Sequence, residues 1–293
     1  MHVLVTGREG QVARALAERA ADRADLRLTF AARPAFDLQS DESVRRAVRA
    51  ATPDVVIGAA AYTAVDAAED DREAAFRCNG HAPGVLAAAA AEAGARIVHL
   101  STDYVFDGRA AGFYREDAPT APIGVYGASK LAGEEAVRAA APDHVVLRTA
   151  WVHSPFGHNF VRTMLRLAGD RDVLRVVADQ AGSPTSAFTI ADGLLALIDR
   201  WRAGDDIAIG RTLNLAGSGE ASWADFAREI MRLSAERGGP SATIEPIATA
   251  DYPTRAARPA NSRLDSGAFI RLTGYRPPDW REALRPIVRR LVR

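Results

Sequence analysis

The chain has 293 residues, 48% of them hydrophobic and 25% charged, and its 37 Lys+Arg balance 37 Asp+Glu. That length fits one large α/β domain or two lobes, and a chain without net charge sets up no global field toward nucleic acid or an acidic membrane. The single cysteine, Cys78, excludes an intramolecular disulfide and a cysteine-based zinc site. No apolar run approaches the roughly 18 residues of a membrane span, and Met1 leads straight into an apolar strand rather than a charged leader. A soluble cytoplasmic protein is expected.

His2-Val3-Leu4-Val5-Thr6 reads as a short buried strand, followed by the turn Gly7-Arg8-Glu9-Gly10-Gln11-Val12-Ala13 and a helical run from Arg14 to Ala21. Strand, Gly-rich turn and helix together form a phosphate cradle. Gly7 allows the tight turn, Gly10 lets backbone approach a pyrophosphate, and the helix start supplies unpaired N–H groups. Leu26 to Phe30 reads as the second strand. An NAD-selecting site places Asp or Glu near such a strand end, about 20 residues past the glycines. Here Ala31-Ala32-Arg33 stands instead. Arg33 suits a 2′-phosphate, which tilts the expectation toward NADPH with NADH possible. It also suits a solvated loop, and the sequence leaves both open. Asp37 and Leu38 precede a helix from about Asp41 to Ala51, with Asp37 placed either to cap it or to lie near an adenine.

Asp54 to Ala61 reads as a third strand with a small-residue end, against which a flat cofactor can lie; Tyr62 and Thr63 follow in a loop. Helical segments run to Ala93. Arg96 to Ser101 is a fourth strand, ending in Thr102-Asp103-Tyr104. Ligands of doubly wound sheets bind beyond the carboxyl ends of strands, so a hydroxyl from Ser101 or Thr102 is placed to hold a substrate carbonyl. The Pro-rich loop Asp117 to Pro122 leads into a helix carrying Tyr126 and Lys130. At i,i+4 they share one helix face. A phenol has a pKa of about 10, and a neighbouring ammonium lowers it toward the range of a general acid.

His144 to Thr149 is a further strand. Beyond Ala150 the alternation loosens. Trp151 to Phe160 is an aromatic loop, Phe160 to Ala168 a helix and Leu174 to Val177 a strand. Asp179 to Thr185 is a turn, Arg211 to Ala216 another strand, and Trp223 to Ala235 a helix. The chain then runs extended and Arg-, Ala- and Pro-rich from Pro253 to Ser262, and Trp280 to Arg293 is an amphipathic helix. The pattern predicts a Rossmann-type, doubly wound parallel sheet. Residues 1–150 form its dinucleotide-binding part. Residues 151–293 form mainly a substrate lobe, with a return to the main sheet near 211–216. His2, His99 and His144 fall in or beside strands as structural groups, whereas His153 and His158 fall in the aromatic loop. None has the spacing of a metal ligand pair, so no metal is expected.

Five stretches occur in order across the chain: Gly7-x-x-Gly10-Gln11-Val12, Ser101 to Gly108, Tyr126-Gly127-x-Ser129-Lys130-Leu131-Ala132-Gly133-Glu134, Arg148-Thr149-x-Trp151-Val152 and Asn261-Ser262-Arg263-Leu264. The set resembles the dTDP-4-dehydrorhamnose reductases of the extended short-chain dehydrogenase/reductase superfamily. The resemblance implies NAD(P)H-dependent reduction of the C4 ketone of dTDP-4-dehydro-6-deoxy-L-mannose to dTDP-L-rhamnose. It implies Tyr126 as proton donor, Lys130 on the nicotinamide ribose and Thr102 on the carbonyl. Gly7, Gly10, Gln11 and Val12 are implied at the pyrophosphate, with Asp37, Leu38, Ala61, Tyr62 and Thr63 along the cofactor. Asp103, Tyr104 and Trp151 fall on the sugar side, and Asn261 and Arg263 near the nucleotide-sugar, where a guanidinium suits a diphosphate. Ala15 replaces a glutamate through which some members bind magnesium at a dimer interface. No such metal or dimer is expected, and the chain is expected as a monomer or weak homodimer without nucleic-acid or membrane partners. Gly124 stands where many members carry asparagine. The alternatives are reduction of another deoxy-keto-sugar nucleotide and a non-catalytic regulatory protein of the same fold.

Overall fold

The computed structural model describes residues 1–292. The first half alternates strand and helix: β1 (His2–Thr6), α1 (Gln11–Arg19), β2 (Arg27–Ala31), α2 (Asp41–Ala51) and β3 (Val55–Gly58). Then come α3 (Val65–Asp70), α4 (Arg72–Phe76), a π-helical turn (Arg77–His81), α5 (Ala82–Glu92) and β4 (Arg96–Thr102). A 3-10 turn (Asp103–Val105), α6 (Val125–Ala140) and β5 (His144–Thr149) complete this half. The second half holds β6 (Val152–His153), α7 (Phe160–Ala168), β7 (Val173–Val177), β8 (Ala181–Gly182), β9 (Thr185–Ser186), α8 (Ala187–Arg202) and β10 (Arg211–Asn214). It continues with β11 (Ala221–Ser222), α9 (Trp223–Ala235), β12 (Thr243–Ile247), β13 (Asn261–Ser262), α10 (Gly267–Thr273) and α11 (Trp280–Leu291).

Six strands form one sheet in the order β10-β5-β4-β3-β1-β2, all parallel. Because parallel strands are covered on both faces, their residues alternate between two cores rather than between core and water. Val3 and Val5 face α1 and α8, while Leu4 between them faces α2 and α5. The strand order turns back at β1, with β2 on one side and β3 on the other. A crevice beyond the carboxyl ends of β1 and β3 is the ligand position such sheets share. A separate core, built from α7, β7, α9, β12 and α11 around Phe226 and Trp280, forms the second lobe.

Two local features depart from the expected elements. The third strand stops at Gly58 because the buried Thr6 hydroxyl accepts from Ala59 N and Ala60 N at 2.9 Å each, which takes those amides out of the ladder. Helix α8 was not singled out in the sequence. It buries Ile190, Ala191, Leu194, Leu195, Leu197 and Ile198 along one face, with Asp192, Asp199 and Arg200 on the other, the amphipathic pattern of a helix laid against a core.

Candidate active site

The proton-transfer groups meet at the carboxyl end of β4. Thr102 is its last residue, and the Thr102 hydroxyl accepts from Tyr104 N at 3.2 Å and donates to Asp103 Oδ1 at 3.0 Å. Helix α6 crosses above. Its Gly127 is required by close approach: a Cβ there would lie 2.1 Å from the Tyr104 carbonyl oxygen. Tyr126 therefore comes down beside Thr102 and packs edge-on against Tyr104, with centroids 5.5 Å apart at 78°. Lys130, one turn on, is buried, and its ammonium donates to Leu100 O at 2.7 Å with His99 Nε2 at 3.5 Å. Burial brings the Lys130 pKa down to about 8, against the pull of Glu134. The phenol moves opposite to the sequence-based expectation. Burial and the Asp103 carboxylate push Tyr126 up, and the Thr102 hydroxyl opposes the rise. The cause is placement, since Lys130 points at the β4 backbone.

Asp103 is fully enclosed, and its Oδ2 has no hydrogen-bond partner. Burial pushes its carboxyl up to about 6, while Ser262 and Thr102 hold it lower than burial alone would. A carboxyl whose folded pKa exceeds its unfolded one destabilises the fold when ionised. The penalty is full above pH 6 and vanishes as pH falls toward the unfolded value of about 3.9. Asp103→Asn is expected to stabilise the protein at pH 8 by on the order of 2–3 kcal/mol. The gain should disappear by about pH 4, as read by urea midpoints across pH.

Beside these groups lies the cradle at the start of α1. Gly7 has φ +84° and donates its N–H to Ala31 O at 2.7 Å, a left-handed conformation that side chains resist. A Cβ at Gly10 would meet nothing within 4 Å, and no side chain caps α1. The first N–H groups of the helix therefore stand open to an anion. Val12 packs into the sheet core. The Gln11 side chain turns away from the cradle: its Oε1 accepts from Ser154 Oγ at 2.7 Å and Asn159 Nδ2 at 3.0 Å. Arg33 stands 73% exposed at the end of β2, with Asp37 3.5 Å away. Asp37 in turn accepts from Gln39 N at 3.0 Å, and Leu38 is half-buried against the core. Ala61, Tyr62 and Thr63 form the loop beyond β3. Asn79, in the π-helical turn, takes Tyr62 N–H at 2.8 Å and donates to Tyr62 O at 2.9 Å and Ser129 Oγ at 3.1 Å. That buried amide joins the cofactor-side loop to α6. Nothing in the sequence singled it out; a π-turn is a frequent mark of a functional position.

Behind Thr102, Glu134 of α6 is fully buried. It accepts from Ser101 Oγ at 2.6 Å, from Arg148 Nε and Nη2 at 2.8 and 2.7 Å, and from Arg138 at 2.6 Å. Burial raises the Glu134 carboxyl, but Arg148, Ser101 and Arg138 hold it below its ordinary value. The cluster fixes α6 against β4 and β5.

A cleft of about 880 Å³ runs from Thr63 and Tyr104 into the second lobe, lined also by Phe160, Trp223, Tyr252 and Arg258 among others. Trp151 adopts φ +47° and stacks on Trp223 at 3.5 Å and 8°; Trp223, rather than Trp151, lines the cleft. His158 lines it as well, whereas His153 is buried against Phe226, its pKa lowered by burial to about 4. Asn261 and Arg263 are engaged elsewhere. Asn261 Nδ2 donates to Ala110 O and Gly112 O at 2.8 and 2.7 Å. Arg263 bonds Asn261 Oδ1 at 2.8 Å, Glu220 at 2.6 Å and Ala111 O at 2.8 Å. Three of the five Arg263 N–H groups thus hold Asn261, Glu220 and the 110–112 loop. The arginine of this stretch that lines the cleft is Arg258, bonded to Asp66 at 2.6 Å and 3.4 Å from the Tyr104 hydroxyl.

A family model described as the RmlD substrate binding domain matches residues 1–293. A dTDP-4-dehydrorhamnose reductase of Sinorhizobium fredii is 46% identical over 288 residues, covering 98% of this chain and 97% of that protein. The chain belongs to the dTDP-4-dehydrorhamnose reductase family. Two solved members of the family superpose closely. One, from Clostridium acetobutylicum, has a TM-score of 0.91 at 35% identity and covers 99% of both chains. The other, from Bacillus anthracis in complex with NADP, has a TM-score of 0.89 at 32% identity, again over 99% of both.

Ala15 is fully buried in the core between α1 and α8. On the outer side of the same helices Arg19 pairs with Asp192 at 2.9 Å, and Glu18 with Arg290 of α11 at 2.8 Å. Among the described residues no helix is long and apolar enough to cross a membrane.

Proposed function

We propose that this chain reduces the C4 ketone of dTDP-4-dehydro-6-deoxy-L-mannose to dTDP-L-rhamnose with NADPH. The convergence of Thr102, Tyr126 and Lys130 beyond β4, beside the open start of α1, carries that reading. Bound NADPH supplies the hydride that goes to C4. The chain's own residues do the rest. Thr102 turns its hydrogen from Asp103 to the ketone oxygen, Tyr126 gives that oxygen a proton, and Lys130 holds the nicotinamide ribose. A phenol held above its ordinary pKa keeps its proton until the oxygen becomes basic, which suits an acid acting late in hydride transfer. Gly7, Gly10 and the first amides of α1 take the pyrophosphate. The cleft takes the nucleotide-sugar, with Arg258 facing its diphosphate and the Trp223 face offered to the base.

The Bacillus anthracis relative supports NADPH, and so does the exposed Arg33, which no strong pair restrains. Residues 1–150 then serve mainly the cofactor and 151–293 mainly the substrate, in a cytoplasmic monomer or weak homodimer. The test is NADPH oxidation by purified protein on addition of the keto-sugar, followed at 340 nm. Wild type is expected to turn over. Arg33→Ala is expected to lose about tenfold in kcat/KM for NADPH, the worth of one charge-assisted hydrogen bond, and little for NADH. No turnover with this or any related deoxy-keto-sugar nucleotide would instead support the regulatory alternative.

A further inference from the structure

We propose that Glu69, a residue outside every motif named above, is the positioning residue of the proton donor. It caps the first turn of α6 from a neighbouring helix. The inference rests on Tyr126 as proton donor. A helix begins with N–H groups that lack partners, and a side chain at the N-cap position ordinarily accepts from one of them. In α6 that position is Gly124, extended at φ −148° and ψ 169°, with no side chain to offer, and the first turn holds no acidic residue. Glu69 of α3 supplies what is missing: its Oε1 accepts from Val125 N at 2.8 Å. A Cβ placed on Gly124 would lie 2.8 Å from that same oxygen. The glycine and the distant carboxylate are therefore two halves of one arrangement. A local cap has been given up, and the space is filled by a charge that also faces the positive end of the helix dipole.

The capped residue is Val125, and the next is Tyr126. Lys130 lies a full turn deeper and is held independently by Leu100 O at 2.7 Å. Loss of Glu69 therefore loosens the phenol and leaves the ammonium in place. Helix α3 also starts two residues after Thr63, and its Asp66 accepts from Ala256 N at 3.1 Å and Arg258 at 2.6 Å. Through Glu69 the turn that carries the proton donor is joined to the helix linking the cofactor-side loop with the second lobe.

Glu69→Ala in the full chain is expected to lower kcat about tenfold, to leave the NADPH Kd within about twofold and to speed amide exchange at residues 125–127. Glu69→Gln, which keeps an acceptor oxygen without the charge, is expected to fall between. Adding Gly124→Asn to Glu69→Ala puts a local cap into the vacated space. That double variant is expected to recover most of the lost kcat, whereas Gly124→Asn alone crowds the carboxylate and gains nothing. Wild-type kcat in Glu69→Ala overturns the proposal. So does a kcat loss accompanied by unchanged exchange at 125–127, or one that Gly124→Asn does not repair. An inactive wild type would count against the activity itself, and the exchange measurement would still decide whether Glu69 holds the turn.

Discussion

Tyr126→Phe is expected to lower kcat by roughly 10²–10⁴-fold, the range a positioned general acid contributes, with the NADPH Kd unchanged within about twofold. The substitution keeps the ring and its edge-on contact with Tyr104 at 5.5 Å and removes only the hydroxyl beside Thr102. Lys130 stays on the Leu100 carbonyl, so the residue assigned to the ribose is untouched. Equilibrium NADPH binding by fluorescence, followed by single-turnover oxidation, separates the two quantities. A kcat near wild type removes Tyr126 as the donor, and parallel loss of NADPH binding reassigns it to holding the cofactor.

Glu134→Ala is expected to cost roughly 3–5 kcal/mol, the penalty of leaving a buried charge without its partner. Arg148 would remain only 3% exposed, facing a void where Glu134, 0% exposed, had been. For a chain of this size that corresponds to a melting temperature lower by roughly 5–8 °C. The pair also carries a pH signature. Because Glu134 is held below its ordinary value, its contribution is present above the unfolded carboxylate pKa of about 4.3. It is lost as pH falls through the lower folded value. Glu42→Ala, which breaks the exposed pair with Arg49 at 2.8 Å, is the control, expected within about 0.5 kcal/mol of wild type. A change at Glu134 as small as that at Glu42 would mean that Ser101 and Arg138 reorganise around Arg148.

The N-terminal half was legible because its signals are local. Gly7 and Gly10 follow a strand and open a helix, and Tyr126 and Lys130 share a helix face by spacing alone. Thr102 was placed by counting to the end of an apolar run. What the sequence concealed lies in pairings between distant residues. Asn79 reaches Tyr62 and Ser129 across 17 and 50 positions, and Glu69 reaches Val125 across 56. No periodicity links such partners. Arg258 and Arg263 show the same limit from the other side, since they are arginines only five positions apart. Only the three-dimensional position of Asp66, Glu220 and the 110–112 loop decides which of them lines the cleft. The expected lowering of the phenol pKa failed because i,i+4 spacing fixes a shared face and does not fix where a long side chain points.

The edge strand β10 bears on how the protein is made. It lies beside β5 in the sheet, and α8, which precedes it, covers the face shared with α1. While the chain emerges from a ribosome, β5 is synthesised more than sixty residues before its sheet neighbour, because His144–Thr149 must wait for Arg211–Asn214. Through that interval the nascent half presents the outer edge of β5, which pairs only with β4, and an uncovered sheet face, the surfaces on which chains aggregate. A fragment ending at residue 150 inherits that condition permanently. A nascent-chain folding assay should therefore register closure of the cofactor-binding sheet only after residue 214 has cleared the exit tunnel.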